Sequence, residues 1–130
     1  GTFRGNNHAF VTARVALEKF WADKQFETEL ATKSAELTTN LQALADLIPD
    51  ARLKGRGLMQ GVDVGSGELA GAICARAFEK GLIIETSGAD DEVVKVLAPL
   101  TTSKETFAKG FEILLDAARD VLSTSKIAAE

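Results

Sequence analysis

The sequence predicts an α+β domain: a small antiparallel or mixed sheet of about three strands covered by about four helices. Three observations carry that expectation. Apolar residues recur at helical spacing near both ends of the chain and again in its middle. Short β-branched runs, Val93–Leu97 the clearest, occupy the stretches between the helices. Glycines and a turn-forming cluster, TSGADDE, punctuate those stretches. At 130 residues the chain is long enough for one domain that buries roughly two-thirds of its unfolded surface.

Taken in order, Phe10, Ala13, Leu17 and Phe20 lie on one face of a helix over residues 8–21, interrupted by the polar stretch 23–25. Phe26, Leu30, Leu37, Leu41, Leu44 and Ile48 make a second stripe that stops at Pro49 and Asp50, so the two helices form a hairpin or a kinked pair. Residues 58–64 then read as a short strand among Gly55, Gly57, Gly61, Gly65 and Gly67. Leu69, Ile73, Ala77 and Phe78 predict a helix over 68–80, with Gly81 at its C-terminal cap. Two strands follow, at 82–84 and at Val93–Leu97, joined by TSGADDE. Thr102 and Glu105 have capping-box spacing ahead of a last stripe, Phe107, Phe111, Leu114, Ala118 and Val121, and the tail after Ser123 is expected to fray. No internal repeat or low-complexity segment is present.

Composition narrows the function classes. A hydrophobic share of 45% with 26% charged residues is that of an ordinary globular protein. The net charge of −4, with acids and bases interspersed, gives no basic stripe for nucleic acid or an anionic membrane. No apolar run reaches the ~20 residues of a membrane helix, and no signal-peptide pattern opens the chain. Cys74 has no second cysteine to pair with, which fits a reducing compartment, so a soluble cytoplasmic protein is the expectation.

Chemistry-bearing residues are few. There is no His/Cys/Asp cluster at metal-ligand spacing, and no metal is expected. His8 stands at a helix start without an orienting partner in sequence, and Cys74 lies on the apolar stripe of the 68–80 helix as a small buried hydrophobe. GTFRGNN places glycines, a hydroxyl and backbone donors just before a helix, which suits either an anion site or a plain cap. KGRGLMQG, residues 54–61, is no dinucleotide fingerprint, because its glycines enter or interrupt a strand and open no helix. Lys95 is the one charge inside VVKVL, and its ammonium either reaches solvent or is held for a ligand.

GTFRGNN, KGRGLMQGVDV and GLIIETSGADDEVVKVLAPLT, in that order, resemble the C-terminal third of the class III aminotransferases, pyridoxal-phosphate enzymes of fold type I. The resemblance covers essentially the whole chain. It implies that residues 1–24 are a linker and interdomain helix, and that 25–130 form the small C-terminal domain. The large domain, with the Schiff-base lysine and most of the cofactor site, is expected upstream, so no catalytic residue is expected here and these residues alone should be inactive. The resemblance implies amino acid and 2-oxo acid substrates and a homo-oligomer, at least a dimer.

Residue by residue, the resemblance implies that Thr2 reaches the cofactor phosphate of a neighbouring subunit, with Phe3 walling that site. Lys95 stands where many members carry an arginine for the substrate carboxylate. A lysine keeps the charge but loses the two-pronged fork. Arg4 departs from a usual glycine, and Asn7-His8 from a usual Pro-Leu; both departures favour the diaminobutyrate-forming branch of the class. Arg4 is a candidate phosphate or carboxylate contact, and Ser87 and Gly88 of the TSGADD loop are expected nearest the substrate. That branch implies transfer of an amino group from L-glutamate to L-aspartate 4-semialdehyde. The alternatives are a class member acting on 4-aminobutyrate, ornithine or acetylornithine, and, from another class, a non-catalytic α+β binding or regulatory module.

Overall fold

The structure is a computed structural model and describes residues 1 and 3–127, the side chains of 125–127 excepted. Helix α1 spans Asn7–Phe20 and α2 Gln25–Ala45; strands β1, Arg52–Arg56, and β2, Met59–Asp63, precede α3, Gly67–Glu79. Strands β3, Glu85–Ser87, and β4, Val93–Leu97, lead to α4, Lys104–Ile127. The four strands form one sheet in the order β1-β2-β4-β3, every neighbouring pair antiparallel.

Local chemistry sets the helix ends. The Asn6 carboxamide accepts the His8 amide at 3.0 Å and opens α1; the Asp23 carboxylate accepts the Gln25 amide at 2.8 Å and opens α2. Between them Phe20, Trp21 and Phe26 stack, with ring centroids 5.0 to 6.1 Å apart, which fixes the corner. Ser66 caps α3 by accepting the Leu69 amide at 3.2 Å. At the other end Gly81, with φ +92°, gives its amide to the Phe78 carbonyl while Leu82 gives its own to Ala77, a Schellman closure. The C-cap read from Gly81 is therefore present.

The structure departs from expectation in three ways. There are four, because β1 pairs with β2 across a two-residue turn at Gly57 and Leu58. Its sequence, Arg-Leu-Lys-Gly-Arg, holds one apolar side chain and so carries no strand pattern. Next, the strand expected at 82–84 lies at Glu85–Ser87. The Leu82 amide is already used in capping α3, so pairing with β4 starts only at Glu85. Finally, α4 is capped by Ser103, which accepts the Thr106 amide at 3.2 Å. Thr102 instead donates its hydroxyl to the Pro99 carbonyl at 2.7 Å, so the Thr102 and Glu105 capping box does not form. Helix α4 also runs past Ser123 to Ile127.

The core lies on one face of the sheet. Val62 and Val94 are fully buried there against Leu37, Leu41 and Leu44 of α2, Ala70 and Ile73 of α3, and Phe111 and Leu114 of α4. Each such aliphatic side chain contributes roughly 1.5–3 kcal/mol by burial. Cys74 belongs to this core, as its place on the stripe predicted. Helix α1 buries no residue, so three helices rather than four cover the sheet. Among the described residues no helix is long and apolar enough to cross a membrane.

Candidate substrate-binding face

Alternation along the strands sends Arg52, Lys54, Met59, Asp63, Glu85, Ser87, Val93, Lys95 and Leu97 to the face opposite the helical core. Lys95 stands in the middle of that face. On its β2 side the register partner is Gly61, which has no side chain; on its β3 side the partner is Glu85. A Cβ on Gly61 would come within 2.7 Å of Val93 Cγ1 and 2.6 Å of the Val94 carbonyl, so only glycine fits against β4. The Lys95 ammonium lies 2.8 Å from Glu85 Oε1, with the lysine side chain 25% exposed and the glutamate 70%. Its charge is thus paired with a carboxylate of the protein and is still reached by solvent.

This pair borders a groove of about 580 Å³, where residues 82–84 run beside β4 without pairing. Leu82, Ile84, Val96, Phe107 and Phe111 line its apolar part. Ser87 lies two positions along β3 from Glu85 and on the same face, and Gly88 follows it at φ +105°. The turn beyond is braced: Thr86 donates to the Asp91 carboxylate at 3.1 Å, and the Asp90 amide to Glu92 at 3.0 Å. The hairpin therefore places Ser87 on the face that carries Lys95, opposite Val93, with Gly88 at the start of the turn.

The N-terminal candidates stand apart from it. Thr2 lies outside the described residues. Phe3 is 90% exposed, and Arg4 is in a turn closed by its amide donating to the Gly1 carbonyl at 2.9 Å. His8 is exposed in the first turn of α1.

Two other lysines are committed to acids. Lys54 meets Asp63 at 3.0 Å and Glu92 at 3.4 Å, and Lys80 meets Asp116 at 2.5 Å and Asp120 at 3.0 Å. These partners push both ammonium groups up from their ordinary value, Asp63 acting most on Lys54 and Asp116 most on Lys80. A lysine that attacks a carbonyl needs the opposite shift. Burial, and then the Glu85 charge, push the Cys74 thiol up, which leaves it a poor nucleophile.

Two features escaped the sequence. Glu85 gains meaning only from its register opposite Lys95, and the Arg52, Asp63, Lys54 and Glu92 cluster only from the β1–β2 pairing. The signal for the first was present in the acid that ends the run GLIIE.

A family model of the class III aminotransferases matches residues 1–118. The chain belongs to that family. Among curated relatives, this class III chain is 51% identical over 116 residues to the diaminobutyrate–2-oxoglutarate transaminase of Vibrio cholerae, covering 88% of the chain and 28% of the relative. It is 45% identical over 127 residues to the enzyme of the same name from Halomonas elongata, covering 95% and 30%. The chain thus spans less than a third of the length of these relatives. Of solved structures, N-acetylornithine aminotransferase from Stenotrophomonas maltophilia matches 91% of the chain and 31% of its own, at TM-score 0.69 and 29% identity. Lysine aminotransferase from M. tuberculosis, at TM-score 0.73 and 24% identity over 85% of the chain and 25% of its own, shares the fold. Membership of the class III family sets aside the unrelated binding or regulatory module.

Proposed function

We propose that this chain forms the substrate-carboxylate side of a pyridoxal-phosphate transaminase that moves the amino group of L-glutamate to L-aspartate 4-semialdehyde. The products are L-2,4-diaminobutyrate and 2-oxoglutarate, the first step toward ectoine. The observation that carries this reading is Lys95: an ammonium on the open sheet face, beside a position with no side chain and at the edge of a groove. The 51% identity to a diaminobutyrate–2-oxoglutarate transaminase favours these substrates over acetylornithine, whose enzyme is 29% identical.

The cofactor supplies an electron sink at the reacting carbon. The residues present fit its phosphate end. Ahead of α1 the sequence supplies a hydroxyl, an arginine and backbone amides, a donor set suited to a doubly charged anion. In this reading Thr2 donates to the phosphate, Phe3 shields it, and the neighbouring subunit holds it, in an enzyme that is at least a dimer. The Schiff-base lysine is supplied from upstream, in keeping with the acid-held state of Lys54 and Lys80. Residues 1–24 then link the two domains, and 25–130 form the smaller one. Lys95 orients the substrate through its carboxylate, with Ser87 and Gly88 at the mouth.

In the full-length enzyme, Lys95→Ala is expected to raise KM for glutamate roughly 10- to 100-fold, the loss of one charge-assisted hydrogen bond, while cofactor affinity stays unchanged. Thr2→Ala is expected to do the reverse, weakening cofactor retention with little effect on KM. Equal effects of either change on KM and on cofactor affinity overturn its assignment.

A further inference from the structure

We propose that Glu92 is a positioning residue for the substrate mouth: its carboxylate, folded into the turn after β3 and tied to Lys54 of β1, sets where Ser87 and Gly88 stand. This rests on the placing of Ser87 and Gly88 at the mouth and names what holds them there.

A β-hairpin needs no more than two residues to reverse its chain, and two residues join β1 to β2. Between β3 and β4 the chain takes five, residues 88–92. Two of them are left-handed, Gly88 at φ +105° and Asp91 at φ +57°. For an aspartate that conformation costs free energy, and it persists only where the surroundings hold it. Chain reversal alone accounts for neither the length of this turn nor its strain.

Glu92 holds the turn from inside. Its side chain is 19% exposed, and its carboxylate accepts the Asp90 amide at 3.0 Å and the Lys54 ammonium at 3.4 Å. A Cβ on Gly88 would overlap that same carboxylate, so the acid takes the volume that a side chain at 88 would need. The Glu92 carbonyl accepts the Val64 amide at 2.9 Å, which fixes the last residue of the turn beside the end of β2. Behind the turn, a Cβ on Gly67 would overlap the Asp90 carbonyl, so the first residue of α3 packs directly against it. Removing the one carboxylate empties the inside of the turn, frees the Asp90 amide and cuts the link to Lys54. The ladders on either side of Lys95, to Gly61 and to Glu85, are left in place. Loss of Glu92 is therefore felt at Ser87 and Gly88, at the open end of the hairpin, before it is felt at Lys95. A substrate anchored on Lys95 then meets a displaced wall, which weakens binding and spares the chemical step.

The test uses the full-length holoenzyme with Glu92→Ala, Glu92→Gln, Glu92→Asp and Ser87→Ala. KM and kcat are measured for glutamate and for 2,4-diaminobutyrate, hydrogen exchange follows the amides of residues 88–91, and Tm monitors the fold. Glu92→Ala is expected to raise KM for both substrates about tenfold while kcat stays within about twofold. Exchange at 88–91 should quicken about tenfold. Glu92→Gln keeps the length of the side chain and an acceptor for the Asp90 amide, so it should return KM to within about threefold. An unchanged KM in Glu92→Ala, a fall in kcat as large as the rise in KM, or a Gln variant no better than the Ala variant overturns the inference. Ser87→Ala separates the two readings. If it raises KM while Glu92→Ala loosens the turn and leaves KM alone, the mouth stands and the present inference fails; if neither raises KM, both fail. Should Glu92→Ala not fold, Glu92→Asp, shorter by one methylene, decides the matter by the same comparison of KM with kcat.

Discussion

Asp63 shows how much a single residue on the open face depends on its neighbours. It is 3% exposed, and its carboxylate accepts from Arg52 at 2.7 Å and from the Gly65 amide at 2.9 Å, with the Lys54 ammonium at 3.0 Å. The hydrogen bond from Lys54, then those from Arg52 and Gly65, lower its pKa from 3.8 to about 2. A folded-state pKa below the unfolded value adds stability that is complete above the unfolded pKa and is lost as pH falls toward the folded one. The window here runs from about pH 4 down to about pH 2. Asp63→Asn is therefore expected to lower Tm at pH 7 and to flatten the acid limb of a Tm-against-pH curve; an acid limb parallel to that of the unsubstituted protein would exclude this role. The sequence exposed Lys95 as an anomaly, because a charge inside an apolar run stands out locally. Asp63 gave no such sign, since its meaning lies in which residues face it across the sheet.

At the scale of the element, sequence periodicity located all four helices and sequence chemistry located most of their ends. Gly81 was legible because a left-handed closing residue favours one amino acid. The start of α4 was not, because Thr102 and Ser103 are adjacent hydroxyl residues and only the backbone path decides which one caps. Ser103→Ala is expected to cost about 1 kcal/mol and Thr102→Ala clearly less, by chemical denaturation. The reverse order would reinstate the capping box. Strand β1 was hidden for a related reason: on an edge strand with one face in water, apolar alternation shrinks to Leu53 alone.

At the scale of the whole molecule, three helices cover one side of the sheet, and the other side presents charged groups beside Met59 and Leu97. Helix α1 stands outside this arrangement, with Phe10, Val11, Val15 and Leu17 exposed. In the chain studied alone, α1 amides are expected to exchange with solvent at least ~100-fold faster than those of α2 around Leu37 and Leu41, read by native-state hydrogen exchange. Comparable protection would mean that α1 is held by contacts other than these. The fold class was legible because spacing and punctuation are local; the open face was not, because no stretch of chain announces what lies on the far side of a sheet. The strand order has a further consequence, one of timing. Strand β4 sits between β2 and β3 but is made after both. During synthesis, then, the inner edges of β2 and β3 have no partner until residue 97 has left the ribosome. The strand they await, VVKVL, is strongly β-forming, and the lysine at its centre keeps it from being an uninterrupted apolar run through that interval.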